Sequence, residues 1–142
     1  MNPIPTVGIL IIKDNKVLLV RHGEQAGHPT GSYGIPAGRL QDDETAKHAA
    51  VRELFEETGL VTTEDDLEEI PLSIPPADLP RKDGTVKRFT ITLFSCKKFT
   101  GELRASDETI PEWVAVDQLD GLDLIGYTKR MVEEGKKYVL SN

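Results

Sequence analysis

With 142 residues, the chain has length for one hydrophobic core and too little for two ordinary domains, so residues 1–142 are expected to form a single domain. Its 17 lysines and arginines against 24 aspartates and glutamates give a formal charge of −7, which repels a long phosphate backbone and argues against a nucleic-acid partner. The longest apolar run, residues 7–12, falls far short of the roughly 20 that cross a bilayer, no cationic leader precedes it, and the lone Cys96 can close no internal disulfide. These features predict a cytoplasmic protein without a membrane partner, monomeric or homodimeric, with Cys96 a packing thiol.

Along the chain, apolar residues 7–12 and 17–20 flank Lys13-Asp14-Asn15-Lys16, whose Asp-Asn centre tolerates left-handed backbone; a β-hairpin is predicted over residues 4–20. Residues 23–38 carry too many glycines and prolines for a helix and read as a structured loop, with a short extended piece at 32–35. A helix follows over residues 45–58, capped by Asp42 or Asp43 and stopped by Gly59, after which Leu60 is expected to fold back on Phe55. One of its stripes holds Val51, Leu54, Phe55 and Thr58, and the neighbouring one holds Ala46, Ala50, Glu53 and Glu57.

Residues 67–74 are predicted extended, and the prolines of 75–80 with Asp83-Gly84 mark a long loop. Alternation of Phe89, Ile91 and Leu93 with Thr90 and Thr92 predicts a strand over 86–96, and a further strand includes 113–116. Residues 124–140 place Leu124, Thr128, Met131 and Val132 on one side, as in a closing amphipathic helix. Strands mixed with a few helices make the fold α/β or α+β.

Glu53, Glu56 and Glu57 stand in the last turn and a half of the predicted helix, where the dipole disfavours acids. At spacings of three and four residues their carboxylates share one patch, which suits a hard divalent cation such as Mg²⁺ or Mn²⁺. The plainer alternative is a solvated face on which Arg52 pairs with Glu56.

Residues 38–60 read GRLQDDETAKHAAVRELFEETGL: Gly38, five residues, Glu44, seven residues, Arg52-Glu53-Leu54, then Glu56-Glu57, Gly59 and Leu60. This spacing resembles the signature of the Nudix hydrolases with every fixed position filled, and the order of elements around it is similar to that family throughout the chain. The resemblance implies an α/β/α sandwich with a mixed β-sheet. It also implies Mg²⁺-dependent hydrolysis, with Mn²⁺ as substitute, of a small nucleotide: a nucleoside diphosphate joined to another group.

By the same resemblance, Glu56 and Glu57 are the main metal ligands with the Gly38 carbonyl nearby, and Glu53 ligates metal or serves as general base. Arg52 then orients Glu53, and Glu44 supports the set. A further acid is expected before the Trp113 strand, with Glu108 as candidate and Asp107 and Glu102 as competitors. Because acids alone repel a pyrophosphate, Arg21 or Arg39 is expected to help bind it.

Two rivals stand beside this reading. Arg21-His22-Gly23-Glu24 resembles the start of the histidine phosphatases, with His22 as nucleophile, and a Nudix fold can serve as a nucleotide-sensing module without turnover. As to substrate, Pro36-Ala37 and Pro75 resemble features of ADP-ribose and sugar-nucleotide pyrophosphatases, whereas the chain length is similar to that of enzymes that remove oxidised nucleoside triphosphates.

Overall fold

The computed structural model describes residues 2–140. Strand β1 (Ile4–Leu10) runs parallel to β8 (Val86–Cys96), pairing Ile4 with Phe89 through Leu10 with Ser95, and antiparallel to β5 (Ala37–Arg39). β6 (Leu67–Glu69) and β7 (Ala77–Pro80) pair antiparallel with different stretches of β8, completing a five-stranded mixed sheet. A second sheet of four strands joins β2 (Ile12–Lys13), β3 (Lys16–His22) and β4 (Tyr33–Gly34), with β9 (Thr109–Ala115) paired to β3.

Apolar residues on both faces of the central strands feed two cores. Val7 and Ile9 of β1, Leu18 of β3 and Phe94 of β8 pack with Ala49, Ala50 and Leu54 of helix α1 (Ala46–Thr58). Leu10, Val17, Leu19 and Leu93 pack instead with Met131 and Val132 of helix α2 (Thr128–Leu140). Strands buried on both faces carry near-continuous apolar runs, and a helix layer on each side gives the expected α/β/α arrangement.

Several local expectations change. The hairpin shrinks to β2 and β3, whose two-residue turn has Asp14 and Asn15 at φ 53 and 61. β1 belongs to the other sheet, because a strand covered on both faces is placed by burial rather than by its nearest turn. Helix α1 is capped by Thr45, whose hydroxyl accepts the His48 N–H at 3.2 Å, since Asp43 is occupied in a left-handed turn at φ 64. The loop expected over 75–84 holds β7, an edge strand on which Pro80 is tolerated, joined to β8 by a turn at Asp83-Gly84.

Helix α2 begins at Thr128, four residues later than its apolar spacing suggested. Gly59 ends α1 as expected, at φ 84, donating its N–H to the Phe55 carbonyl at 2.9 Å. Leu60 enters the α1 core, while Phe55 is 44% exposed with the Arg104 guanidinium over its ring.

A Cβ at position 59 would also meet the Glu102 carbonyl at 2.7 Å. Gly59→Ala is therefore expected to destabilise the protein by about 1–2 kcal/mol from the left-handed backbone, with the contact adding to it. Urea unfolding would measure this, and an unchanged midpoint would count against the ending described for α1.

Candidate active site

Strand β5 meets the side of α1 at Gly38. The Glu53 carboxylate lies against that glycine so closely that a Cβ there would sit 2.0 Å from Glu53 Cδ. One residue earlier, the Ala37 N–H donates to Glu57 Oε1 at 2.7 Å. The Thr109 hydroxyl donates to the Glu57 carbonyl at 3.0 Å, and the Gly23 N–H to the Glu108 carbonyl at 2.8 Å, so β9 and the loop after β3 are tied to the same corner.

Arg52 organises the acids. Its Nε and Nη2 donate to the two oxygens of Glu44 at 2.7 and 2.8 Å, its Nη1 donates to Glu53 Oε1 at 2.7 Å, and Nη2 also reaches the Arg39 carbonyl at 3.0 Å. The contact to Glu56 Oε2 is longer, 3.3 Å, and Glu56 is 53% exposed. The Arg52–Glu56 pair of a plain solvated face is thus the weakest contact of this network, and Glu44, 4% exposed, is the fixed point.

These surroundings separate the carboxyls. Hydrogen bonds from Arg52 hold Glu44 far below the usual carboxylate range. Burial pushes Glu53 up against the pull of Arg52. Burial, then the charge of Glu53, raises Glu57 well above its ordinary 4.5, and Glu108 and Glu56 add to this.

Among the described residues no three His, Cys, Asp or Glu side chains are gathered as a metal site; Glu53 is bonded to Arg52 and Glu57 to the Ala37 N–H. The donor set nonetheless fits a hard divalent cation. It offers only carboxylate and carbonyl oxygens, and Glu57 cannot ionise cheaply in its enclosed position without an added positive charge.

A cleft of about 560 Å³ opens from this corner, lined at one end by Gly38, Arg52, Glu53, Glu56, Glu57 and Glu108. Of the three loop acids considered, Glu108 lines it and Asp107 and Glu102 do not. Arg39, Arg81, His28, His22 and Phe89 line it too. Arg39 thus reaches the cleft as expected, whereas Arg21 does not: it neighbours His22 on β3, and alternation turns it to the opposite face, beside Tyr33 and Glu112.

His22 is buried, with its pKa lowered chiefly by burial. Its Nδ1 donates to the Ser32 carbonyl at 2.9 Å. Sequence reasoning missed Arg81 and His28, which carry no motif and meet only because β7 pairs with β8 and the glycine-rich loop folds over them.

Comparison with known proteins assigns the fold to a class. The chain belongs to the Nudix hydrolase family, whose model, described as NUDIX domain, matches residues 2–137. Family membership removes the histidine phosphatase reading of His22. Among its relatives, an oxidized purine nucleoside triphosphate hydrolase of Danio rerio is 31% identical over 111 residues, covering 78% of this chain and 65% of that protein. An ADP-ribose pyrophosphatase of Methanocaldococcus jannaschii is 39% identical over 62 residues, covering 43% of this chain and 35% of that protein. The chain therefore spans about two thirds and one third of the length of these two relatives.

The NUDIX domain of Shewanella oneidensis NrtR, solved with ADP ribose, shares the fold with a TM-score of 0.74 at 18% identity, over 98% of this chain and 90% of that one. Among the described residues no helix is long and apolar enough to cross a membrane.

A carboxyl whose pKa is raised on folding contributes stability below its unfolded value and loses it as pH rises through the folded value. In chelator, the melting temperature is accordingly expected to fall as pH rises from about 4.5 through the raised Glu57 value. Glu57→Gln, which keeps an acceptor for the Ala37 N–H, should flatten that fall, and Mg²⁺ should raise the melting temperature more at pH 8 than at pH 5. Each kcal/mol corresponds to roughly 4 °C in a domain of this size. A Mg²⁺ effect equal at both pH values would contradict the placement of Glu57.

Proposed function

We propose that this chain is a Mg²⁺-dependent pyrophosphohydrolase that cleaves a phosphoanhydride in a nucleoside triphosphate or a nucleoside diphosphate derivative. The observation that carries the proposal is the Arg52 array, which fixes Glu44 and Glu53 and leaves Glu53 pressed against Gly38 at the mouth of a cleft of nucleotide size. The relatives named above, which hydrolyse an oxidized purine nucleoside triphosphate and ADP-ribose, support the substrate class.

Glu56 and Glu57 would hold the cation, with Glu53, the Gly38 carbonyl and Glu108 at its margin. When bound, Mg²⁺ supplies charge neutralisation of the anhydride oxygens and acidification of a water. The protein's own part is positioning and proton transfer. Glu53, oriented by Arg52 and raised by burial, accepts a proton from the attacking water. The water oxygen bonds to phosphorus as the bridging P–O bond breaks, and the bridging oxygen departs with the other phosphate. Glu44, kept ionised by its hydrogen bonds, fixes the Arg52 guanidinium so that the Glu53 carboxylate cannot swing away.

The reading is tested with a nucleotide panel in Mg²⁺, including an oxidised dGTP and ADP-ribose, with products resolved by chromatography. Anhydride cleavage is expected, with kcat lowered about 10²–10⁴-fold in Glu53→Gln. Nucleotide binding without turnover would instead make the chain a sensing module. Undiminished cleavage by the variant would remove Glu53 from the role of base.

A further inference from the structure

Part of the cleft lining is built around Phe89, which is 8% exposed. The Arg39 guanidinium carbon lies 5.8 Å and that of Arg81 5.5 Å from its ring centroid, and the His28 ring lies 6.2 Å away. Arg81 Nη1 is 3.2 Å from the His28 imidazole nitrogens. Arg81 fits because residue 27 is glycine: a Cβ there would stand 1.9 Å from Arg81 Nη2. Arg52, Arg88 and Arg130 each hold a carboxylate at ion-pair distance, but among the described residues Arg39 and Arg81 hold none.

Two like charges placed on one ring in a partly desolvated cleft repel each other, and burial together with Arg39 lowers the pKa of Arg81. Asp83 and Glu108 are the acids that act on Arg81, and neither is at ion-pair distance. Such an arrangement is relieved by an incoming anion that takes charge-assisted hydrogen bonds from both guanidiniums. His28, pushed down to about 4 by burial and by its basic neighbours, enters as a neutral hydrogen-bonding group at pH 7. Phe89 offers no free face for a stacked base, because the same three side chains cover it.

We propose that Arg39, Arg81 and His28 form an anion subsite for a substrate phosphate outside the cleaved anhydride. This would favour nucleoside triphosphates over nucleoside diphosphates that end in an uncharged sugar. The inference rests on the hydrolase reading above and narrows its substrate class. Position supports it: Arg39 directly follows Gly38, so the subsite begins one residue from the acidic end, where the next phosphate of a chain would emerge.

The direct test is calorimetric titration of inorganic tripolyphosphate into the metal-free protein in EDTA. Binding is expected, weakened about tenfold in Arg81→Ala and in Arg39→Ala, the loss of one charge-assisted hydrogen bond, and partly retained in Arg81→Lys. With Mg²⁺, the ratio of kcat/KM for a nucleoside triphosphate to that for ADP-ribose should fall about tenfold in Arg81→Ala, with melting temperatures confirming that the variants are folded.

No tripolyphosphate binding by the metal-free wild type would overturn the subsite. So would an unchanged ratio in Arg81→Ala, or a loss that depends only on whether the base is guanine or adenine. If the wild type cleaves no anhydride, the hydrolase reading fails separately, and the metal-free titration still decides the subsite.

Discussion

The contact on which this structure turns is the grip of Arg52 on Glu44 and Glu53. Helix α1 ends in a cluster of acids at the pole where its own dipole opposes them, and nothing in helix propensity accounts for that choice. Arg52 makes it tolerable by binding one carboxylate through two donors and a second through a third, in a fork geometry that lysine could not reproduce. Glu44 precedes the helix and is nearly fully covered, so the guanidinium is anchored to the loop as well as to the helix. On the proposed function, a bound cation would further offset the repulsion among these charges.

From that contact the rest of the architecture acquires its purpose. The mixed sheet brings β5 alongside β1, which sets Gly38 and Ala37 against α1, and the second sheet brings Thr109 and Glu108 to the same corner. The two helix layers cover the strands, and residues of β1, β5, β7 and β8 contribute to the cleft lining. That cleft is lined by carboxylates, by guanidiniums that hold no carboxylate at ion-pair distance among the described residues, and by apolar side chains such as Ile35 and Ile91. A nucleotide, with a charged chain and a partly apolar body, complements both the charge and the size of such a space.

What the sequence revealed followed the range of the interactions involved. Helix α1, its stop at Gly59 and its acids were legible because they are fixed within 23 residues, by spacing and by a left-handed glycine. The partner of β1 was not, since residues 7–10 are buried on both faces and their run does not name β8, more than 80 residues away. Strand β7 was hidden by prolines that exclude a central strand but not an edge. The N-cap was placed on Asp42 or Asp43 instead of Thr45, because an aspartate suits the position equally and only the left-handed backbone at Asp43 shows that it is used in a turn. Of the basic residues of the cleft only Arg39 was named from sequence, because Arg81 and His28 come from separate segments that carry no motif. Arg21, by contrast, sits beside a cleft residue in sequence yet on the far face of its strand.

Glu53, Glu56 and Glu57 are thus proposed as a cation site held ready by Arg52, and anomalous diffraction from crystals soaked in Mn²⁺ would locate the ion. A manganese peak is expected between α1 and β5, within about 2.2 Å of carboxylate oxygens of this trio. A map without such a peak, with Glu53 still bound to Arg52 and Glu57 still bound to the Ala37 N–H in millimolar Mn²⁺, would contradict it.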